Sequence, residues 1–202
     1  MKKRKWILIF VILLTVNAGY AQRFKAGVHI GLLATQVDGD DLGGYKKPGL
    51  FLGMFGNLPF PDKKIKLQME INYAQKGSKT PAANAFHYRI TLHQVELPFL
   101  FGWNFWKELS LEAGLSANVI ANAKEYTDNE LVLPNSGGSK FYLFELGGIA
   151  GLNYVFKDHF GLSFRMGYSL SPIGRSAISR KGNKLERYMW NNSILFRFYY
   201  QF

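Results

Sequence analysis

The sequence predicts an all-β fold: one eight-stranded antiparallel up-and-down transmembrane β-barrel, preceded by a cleaved signal peptide. Three observations carry this. Apolar and polar side chains alternate over strand-length segments. Long and short connections alternate between those segments. The chain opens on a basic, then apolar, then small-residue stretch.

Composition sets the frame. The chain has 202 residues, of which 48% are hydrophobic, 16% aromatic and 19% charged. That length suits one domain with a sizeable core, and the apolar content excludes disorder as the main state. Cysteine is absent, which excludes disulfides, thiolate metal sites, a cysteine nucleophile and a cysteine-linked lipid anchor.

Residues 1–21 read as the signal peptide. Lys2, Lys3, Arg4 and Lys5 precede an apolar run over 6–16, and Gly19 and Ala21 supply the small residues before cleavage after Ala21. The run is shorter than the roughly 20 residues of a spanning helix. The mature barrel domain is then 22–202. Loss of four bases from a net charge of +11 leaves it at +7.

The strands follow in order. The first alternates through Phe24, Ala26, Val28, Ile30, Leu32 and Ala34, and a weaker second covers 47–56. The third, 65–73, has an apolar side chain at every odd position and a polar one at every even position. The fourth, 88–102, changes phase: Tyr88, Ile90 and Leu92 are even, whereas Val95, Leu97, Phe99 and Phe101 are odd. One extra residue near His93 and Gln94 restores the alternation, which predicts a β-bulge there. Pro98 in the same strand calls for an edge or irregular pairing. The fifth runs from Leu109 to Val119, and a weaker sixth covers 140–154. The seventh alternates through Phe160, Phe164, Met166 and Tyr168, and the eighth through Trp190, Ile194, Phe196, Phe198, Tyr200 and Phe202.

Connections over 36–46, 77–87, 122–139 and 171–187 are long. Those over 57–64, 103–108 and 155–159 are short. This is the pattern of a bacterial outer-membrane barrel, with short periplasmic turns and long outer loops. A lipocalin-like secreted barrel alternates similarly but turns its apolar rows inward. Side-chain size decides between them. The polar rows hold Gly27, Gly31, Gly114, Gly147, Gly151, Gly161 and Gly167 among their charges, which suits a crowded lumen. The apolar rows hold large residues that suit a lipid-facing band. Aromatics are expected in two girdles, with Trp103, Tyr154, Phe160 and Phe202 at the periplasmic rim and Tyr73, Tyr88, Tyr168 and Tyr188 at the outer one. The terminal Phe202 resembles the signal read by the outer-membrane assembly machinery.

The residues also resemble a named family. Phe24-Lys25-Ala26-Gly27-Val28-His29-Ile30-Gly31 is followed by Gly39-Asp40 and Gly49-Leu50-Phe51-Leu52-Gly53. Further on come Glu70-Ile71-Asn72-Tyr73-Ala74-Gln75-Lys76-Gly77-Ser78, Leu92-His93-Gln94-Val95-Glu96-Leu97-Pro98-Phe99-Leu100 and Glu112-Ala113-Gly114-Leu115-Ser116. Together they look like the PorT-type outer-membrane β-barrel family of Bacteroidetes-type bacteria. The resemblance covers essentially the whole mature chain. It implies an integral outer-membrane protein of a Gram-negative cell, and its namesake takes part in type IX protein secretion. It carries over no functional residue.

Chemistry-bearing residues are few. Glu70, Arg89, Glu96, Glu112, Glu145, Arg165 and Arg197 fall on polar rows and are expected to form a structural charge network in the lumen, since a buried carboxylate needs partners. His29 and His93 read as hydrogen-bonded interior histidines rather than metal ligands. Asp38-Gly39-Asp40-Asp41 lacks EF-hand spacing and reads as a polar turn rather than a calcium site. No GxSxG elbow accompanies Ser169, Ser171 or Ser176. No catalytic residue, metal or cofactor is assigned. Arg175, Arg180, Lys181, Lys184 and Arg187 form a basic patch in the last outer loop, with outer-membrane lipid and lipopolysaccharide phosphates as the natural counter-charge. An exported barrel does not meet nucleic acid.

The leading expectation is a non-enzymatic barrel with a structural or interaction role, accessory to type IX secretion or envelope assembly, with secretion-system proteins as partners. A small transport or ligand-binding barrel is the first alternative. A lipid-modifying outer-membrane enzyme is the second.

Overall fold

The computed structural model describes residues 24–40, 42–60, 64–81, 87–133, 138–157, 159–176 and 187–202. Residues 1–21, with the expected signal peptide, lie outside the described residues. Eight long strands make the wall: β1 (Lys25–Asp38), β2 (Lys47–Pro59), β3 (Ile65–Lys79), β4 (Tyr88–Asn104), β5 (Leu109–Thr127), β8 (Phe144–Phe156), β9 (Phe160–Ser169) and β11 (Arg187–Gln201). Short strands β6 (Glu130–Val132), β7 (Lys140–Phe141) and β10 (Gly174–Ser176) decorate one end. Each wall strand pairs antiparallel with the next. β1 pairs with β11 from Gly27↔Gln201 to Asp38↔Trp190, so the sheet closes and no wall edge is left.

Period-two alternation decides which side chains point out. Leu32 is 69% exposed, with Ile30, Met54, Met69, Leu115 and Phe196 also on the outer surface. The polar rows are the buried ones: Asn72, Asn118, Asn153, Ser163 and Arg197 point inward. Large apolar groups outside and small polar groups inside are the lipid-facing arrangement, opposite to a soluble ligand-carrying barrel. Glycines make room for aromatics that lie across the narrow interior. A Cβ on Gly27 would stand 2.4 Å from the Phe55 ring, and one on Gly161 would stand 2.1 Å from the Tyr199 ring. In both cases the aromatic is the glycine's cross-strand neighbour.

The strands outrun their expected limits at the long-loop end. β3 continues to Lys79, β5 to Thr127, and β11 begins at Arg187. There the interior changes character. Val37, Tyr88, Ile90, Leu92, Ile120, Ile173 and Met189 form a buried apolar cluster, with Leu42, Ala123 and Phe141 packed against it. A smaller cluster of Leu33, Phe51, Ala74 and Leu195 lies among the barrel strands.

This corrects the expected phase change in β4. A register shift does lie between His93 and Gln94, but His93 pairs with Asn122 and Gln94 with Ile120. The extra residue is therefore Ala121 of β5. In β4, even positions from Tyr88 to Gly102 are buried without a break. Tyr88, Ile90 and Leu92 point into the apolar mouth instead of toward lipid. Tyr88 accordingly leaves the expected outer girdle. In β5, burial switches from even residues, ending at Ile120, to odd Glu125. Pro98 sits at neither an edge nor the bulge. The β3–β4 ladder skips from Met69↔Phe99 to Asn72↔Glu96, so its missing N–H falls beside an interruption.

Candidate functional site

Five strands send polar side chains to one level of the lumen. β3 contributes Glu70, β5 Glu112, β9 Arg165, β11 Arg197 and β1 His29. Arg165 donates to both Glu70 oxygens, Nη1 to Oε2 at 2.8 Å and Nη2 to Oε1 at 2.7 Å. Its Nη2 also reaches Glu112 Oε2 at 3.0 Å, and its Nε donates to Glu112 Oε1. Arg197 Nη1 donates to Glu70 Oε1 at 2.9 Å, and its Nη2 lies 3.8 Å from Glu112 Oε2. Two guanidinium groups thus balance two carboxylates, and both pairings are nearly or fully dry. Arg197 Nη1 also faces His29 Nδ1 at 3.0 Å, and His29 Nε2 meets Asn72 Oδ1 at 2.8 Å. An arginine only donates, so Nδ1 accepts and the ring proton sits on Nε2. Asn72 and Gln68 donate their amides to Glu70. The cluster is a cross-brace tying distant parts of the wall together.

A second polar level lies beside it. Lys76 Nζ is 2.5 Å from Glu96 Oε1. Glu145 accepts from Gln94 at 2.7 Å, Ser169 at 2.6 Å and Asn191 at 3.0 Å. A cavity of about 30 Å³ is lined by Lys76, Glu96, Asn118, Glu145, Arg165 and Ser193 among others. That is space for roughly two waters, not for a solute. Toward the long-loop end, Tyr88 Oη donates to Glu125 Oε1 at 2.7 Å, and the Ser139 N–H donates to Glu125 Oε2 at 2.6 Å. Asp40 accepts from Ser78 Oγ and, at 2.8 Å, from the Leu42 N–H. Burial pushes the Asp40 carboxyl up from 3.8 to about 6.

Sequence comparison matches residues 18–175 to the family described as outer membrane protein beta-barrel domain. The chain belongs to this family. No curated protein matches the sequence significantly. Among solved structures, the fold is similar to the attachment invasion locus protein Ail of Yersinia pestis in complex with the heparin analogue sucrose octasulfate. The TM-score is 0.54 at 12% identity, covering 89% of this chain and 99% of that one. Neisserial surface protein A is similar at a TM-score of 0.51 and 14% identity, covering 89% and 97%. A major outer membrane protein of Thermus thermophilus follows at 0.50 and 12%, covering 89% and 99%. At these identities the likeness is one of fold.

In this outer-membrane barrel the short turns mark the periplasmic end and the long loops the outer end. Of the seven residues expected in the lumen network, Glu70, Glu96, Glu112, Glu145, Arg165 and Arg197 point inward. Arg89 does not. It is exposed on the outer wall with its guanidinium 4.6 Å from the centroid of Tyr126. The reason is the unbroken alternation of β4, which turns every odd side chain outward. His93 turns outward with it and pairs with Tyr73 Oη at 2.7 Å. Asp38 and Asp40 do not converge on a cation: Asp38 accepts from Gln36, while Asp40 turns to Ser78. Among the described residues no three histidines or acids gather as a metal site.

In the basic outer patch, Arg175 donates to Tyr142 Oη at 3.1 Å and Tyr188 Oη at 3.2 Å, and Arg187 lies on the adjoining ladder. Arg180, Lys181 and Lys184 lie outside the described residues. Phe202 is exposed, and its N–H donates to Ala26 O at 2.8 Å. Lys76 and Glu125 were not among the expected lumen residues. Lys76 keeps the even phase of Glu70, a signal available in the sequence. Glu125 follows the Ala121 bulge, whose strand no pattern announced.

Proposed function

We propose that this outer-membrane barrel is a sealed, non-enzymatic platform that presents its outer surface to envelope partners. The observation supporting this is the double closure of the lumen. The Glu70–Arg165–Glu112–Arg197 brace fills one level, and the apolar cluster around Ile173 and Met189 fills the outer mouth. A filled interior offers no diffusion path, which weighs against the transport reading. Function then resides on the outer surface, where Leu131, Leu133 and Leu143 stand exposed at the loop end.

The sequence resemblance supports a finer reading. It is a PorT-type barrel of a Bacteroidetes-type cell, accessory to type IX secretion or envelope assembly. Residues 1–21 direct export and are removed, and Phe202 is read by the assembly machinery. Gentle-detergent extraction of outer membranes, followed by mass spectrometry of co-purifying proteins, tests the reading. Secretion or assembly components in fixed ratio are expected. Recovery of the barrel alone, with steady single-channel conductance in planar bilayers, overturns it.

A further inference from the structure

The outer wall carries a basic row that the charge network does not use. Register brings Lys79 of β3 directly opposite Arg89 of β4, and Arg89 opposite Tyr126 of β5. One step toward the membrane, Thr91 faces Lys124. Lys79, Arg89 and Lys124 are all exposed, on the face opposite the buried Ser78, Ile90 and Glu125. Like charges directly opposite on a sheet repel. No described strand residue on this face is acidic: Glu130, the first residue of β6, pairs with Thr127 and so lies on the face opposite Tyr126, and Asp128, in the β5–β6 turn, accepts from the His87 N–H at 3.0 Å. The connecting residues 80–87 contain no acid. The stacking of Arg89 on Tyr126 holds the guanidinium against the wall but does not neutralise it.

Height identifies the counter-ion. Below the row the same wall is apolar, with Ile71, Leu97 and Ala117 exposed to lipid. With about 3.3 Å per residue and a tilt near 40°, the Thr91 and Arg89 levels stand roughly 10 and 15 Å above Val95. Long basic side chains reach several ångströms back toward the interface. Counted down the same strand, Trp103 at the expected periplasmic rim lies about 20 Å below Val95, so an apolar band about 25 Å tall ends between Val95 and Thr91. The basic row falls just beyond it, at the level expected for outer-leaflet headgroups. We propose that Lys79, Arg89 and Lys124 bind the phosphate groups of a phosphorylated outer-leaflet glycolipid of the lipopolysaccharide type, holding it against the β3–β5 wall. This site is separate from the loop patch around Arg175.

The test uses the folded mature barrel in detergent micelles and a bisphosphorylated diglucosamine lipid of the lipid A type. Bound lipid is read by native mass spectrometry. Replacing Lys79, Arg89 and Lys124 together by Gln is expected to weaken binding on the order of 100-fold, about fivefold per charge. Enzymatic dephosphorylation of the lipid is expected to weaken wild-type binding to the same level. Arg175→Gln is expected to leave it unchanged. Equal binding by the triple variant, indifference to dephosphorylation, or loss on Arg175→Gln instead would each overturn the proposal. Displacement by millimolar inorganic phosphate would do the same, because it marks a small-anion site. Heat-modifiable gel mobility reports folding of the variants. Should the triple variant misfold, Lys124→Gln alone must show its fivefold loss, and unchanged affinity there is also decisive against the site.

Discussion

Replacing Arg165 with Met should be among the most damaging single changes in the barrel. Arg165 supplies two hydrogen bonds to Glu70 and two to Glu112 from a side chain that is 3% exposed, and those carboxylates are 0% and 1% exposed. Met keeps much of the volume, so the cost is electrostatic rather than a cavity. What remains is two carboxylates sharing Arg197, which lies 3.8 Å from Glu112. Removing one partner from a buried pair costs about 3–5 kcal/mol. Charge balance implies a rescue. In Arg165→Met with Glu112→Gln, Glu70 and Arg197 are again matched one to one, and the double variant should recover about 1–3 kcal/mol relative to the sum of the single changes. Urea titration of the barrel in lipid vesicles, read by tryptophan fluorescence and gel mobility, measures both. The reasoning fails if Arg165→Met falls within about 1 kcal/mol of wild type, below the cost of an unpaired buried charge. It also fails if the double variant is as unstable as simple addition predicts.

Three further outcomes are expected. Gly49→Ala places a Cβ 1.9 Å from the Gln75 carbonyl oxygen, so the β2–β3 contact must open; the same titration should show a loss of about 1–3 kcal/mol. Deleting Ala121 removes the extra residue, so β5 alternates without a break and Glu125 stays in the mouth with Lys124 outside; heat-modifiable folding and trypsin resistance of the β5–β6 hairpin should persist. Deleting Ala123 should instead turn Glu125 outward and open the hairpin to trypsin, and equal digestion of the two deletions would contradict the register. Asp40, pushed up from 3.8 to about 6 by burial, favours the folded loop while protonated. That contribution, up to about 3 kcal/mol, is complete below pH about 4 and is lost as pH rises through about 6. The opening free energy of residues 38–44, from exchange rates corrected for their intrinsic pH dependence, should therefore fall between pH about 4 and about 6 in the wild type and stay flat in Asp40→Asn.

Strand number, connection order and the inward row of β3, β8, β9 and β11 were legible from alternation alone, because a strand sends successive side chains to opposite faces. Glu70, Glu112, Glu145, Arg165 and Arg197 were therefore placeable before any contact was known. Arg89, Glu125 and the Tyr88–Ile90–Leu92 row were not. Alternation says which residues share a face, and a change from polar to apolar looks the same whether the strand slips or its surroundings change. Only the closed register showed that β4 runs straight, that Ala121 supplies the extra residue, and that the wall continues past the polar lumen to enclose an apolar mouth. Pairing across strands is equally invisible locally: Arg165 meets Glu70 across 95 sequence positions, and Lys79 faces Arg89 only because the ladder puts them there. The order of residues was enough to assign the faces of the strands. Which side chains meet, and where the lipid stops, depends on register and closure, and these exist only once distant strands are paired.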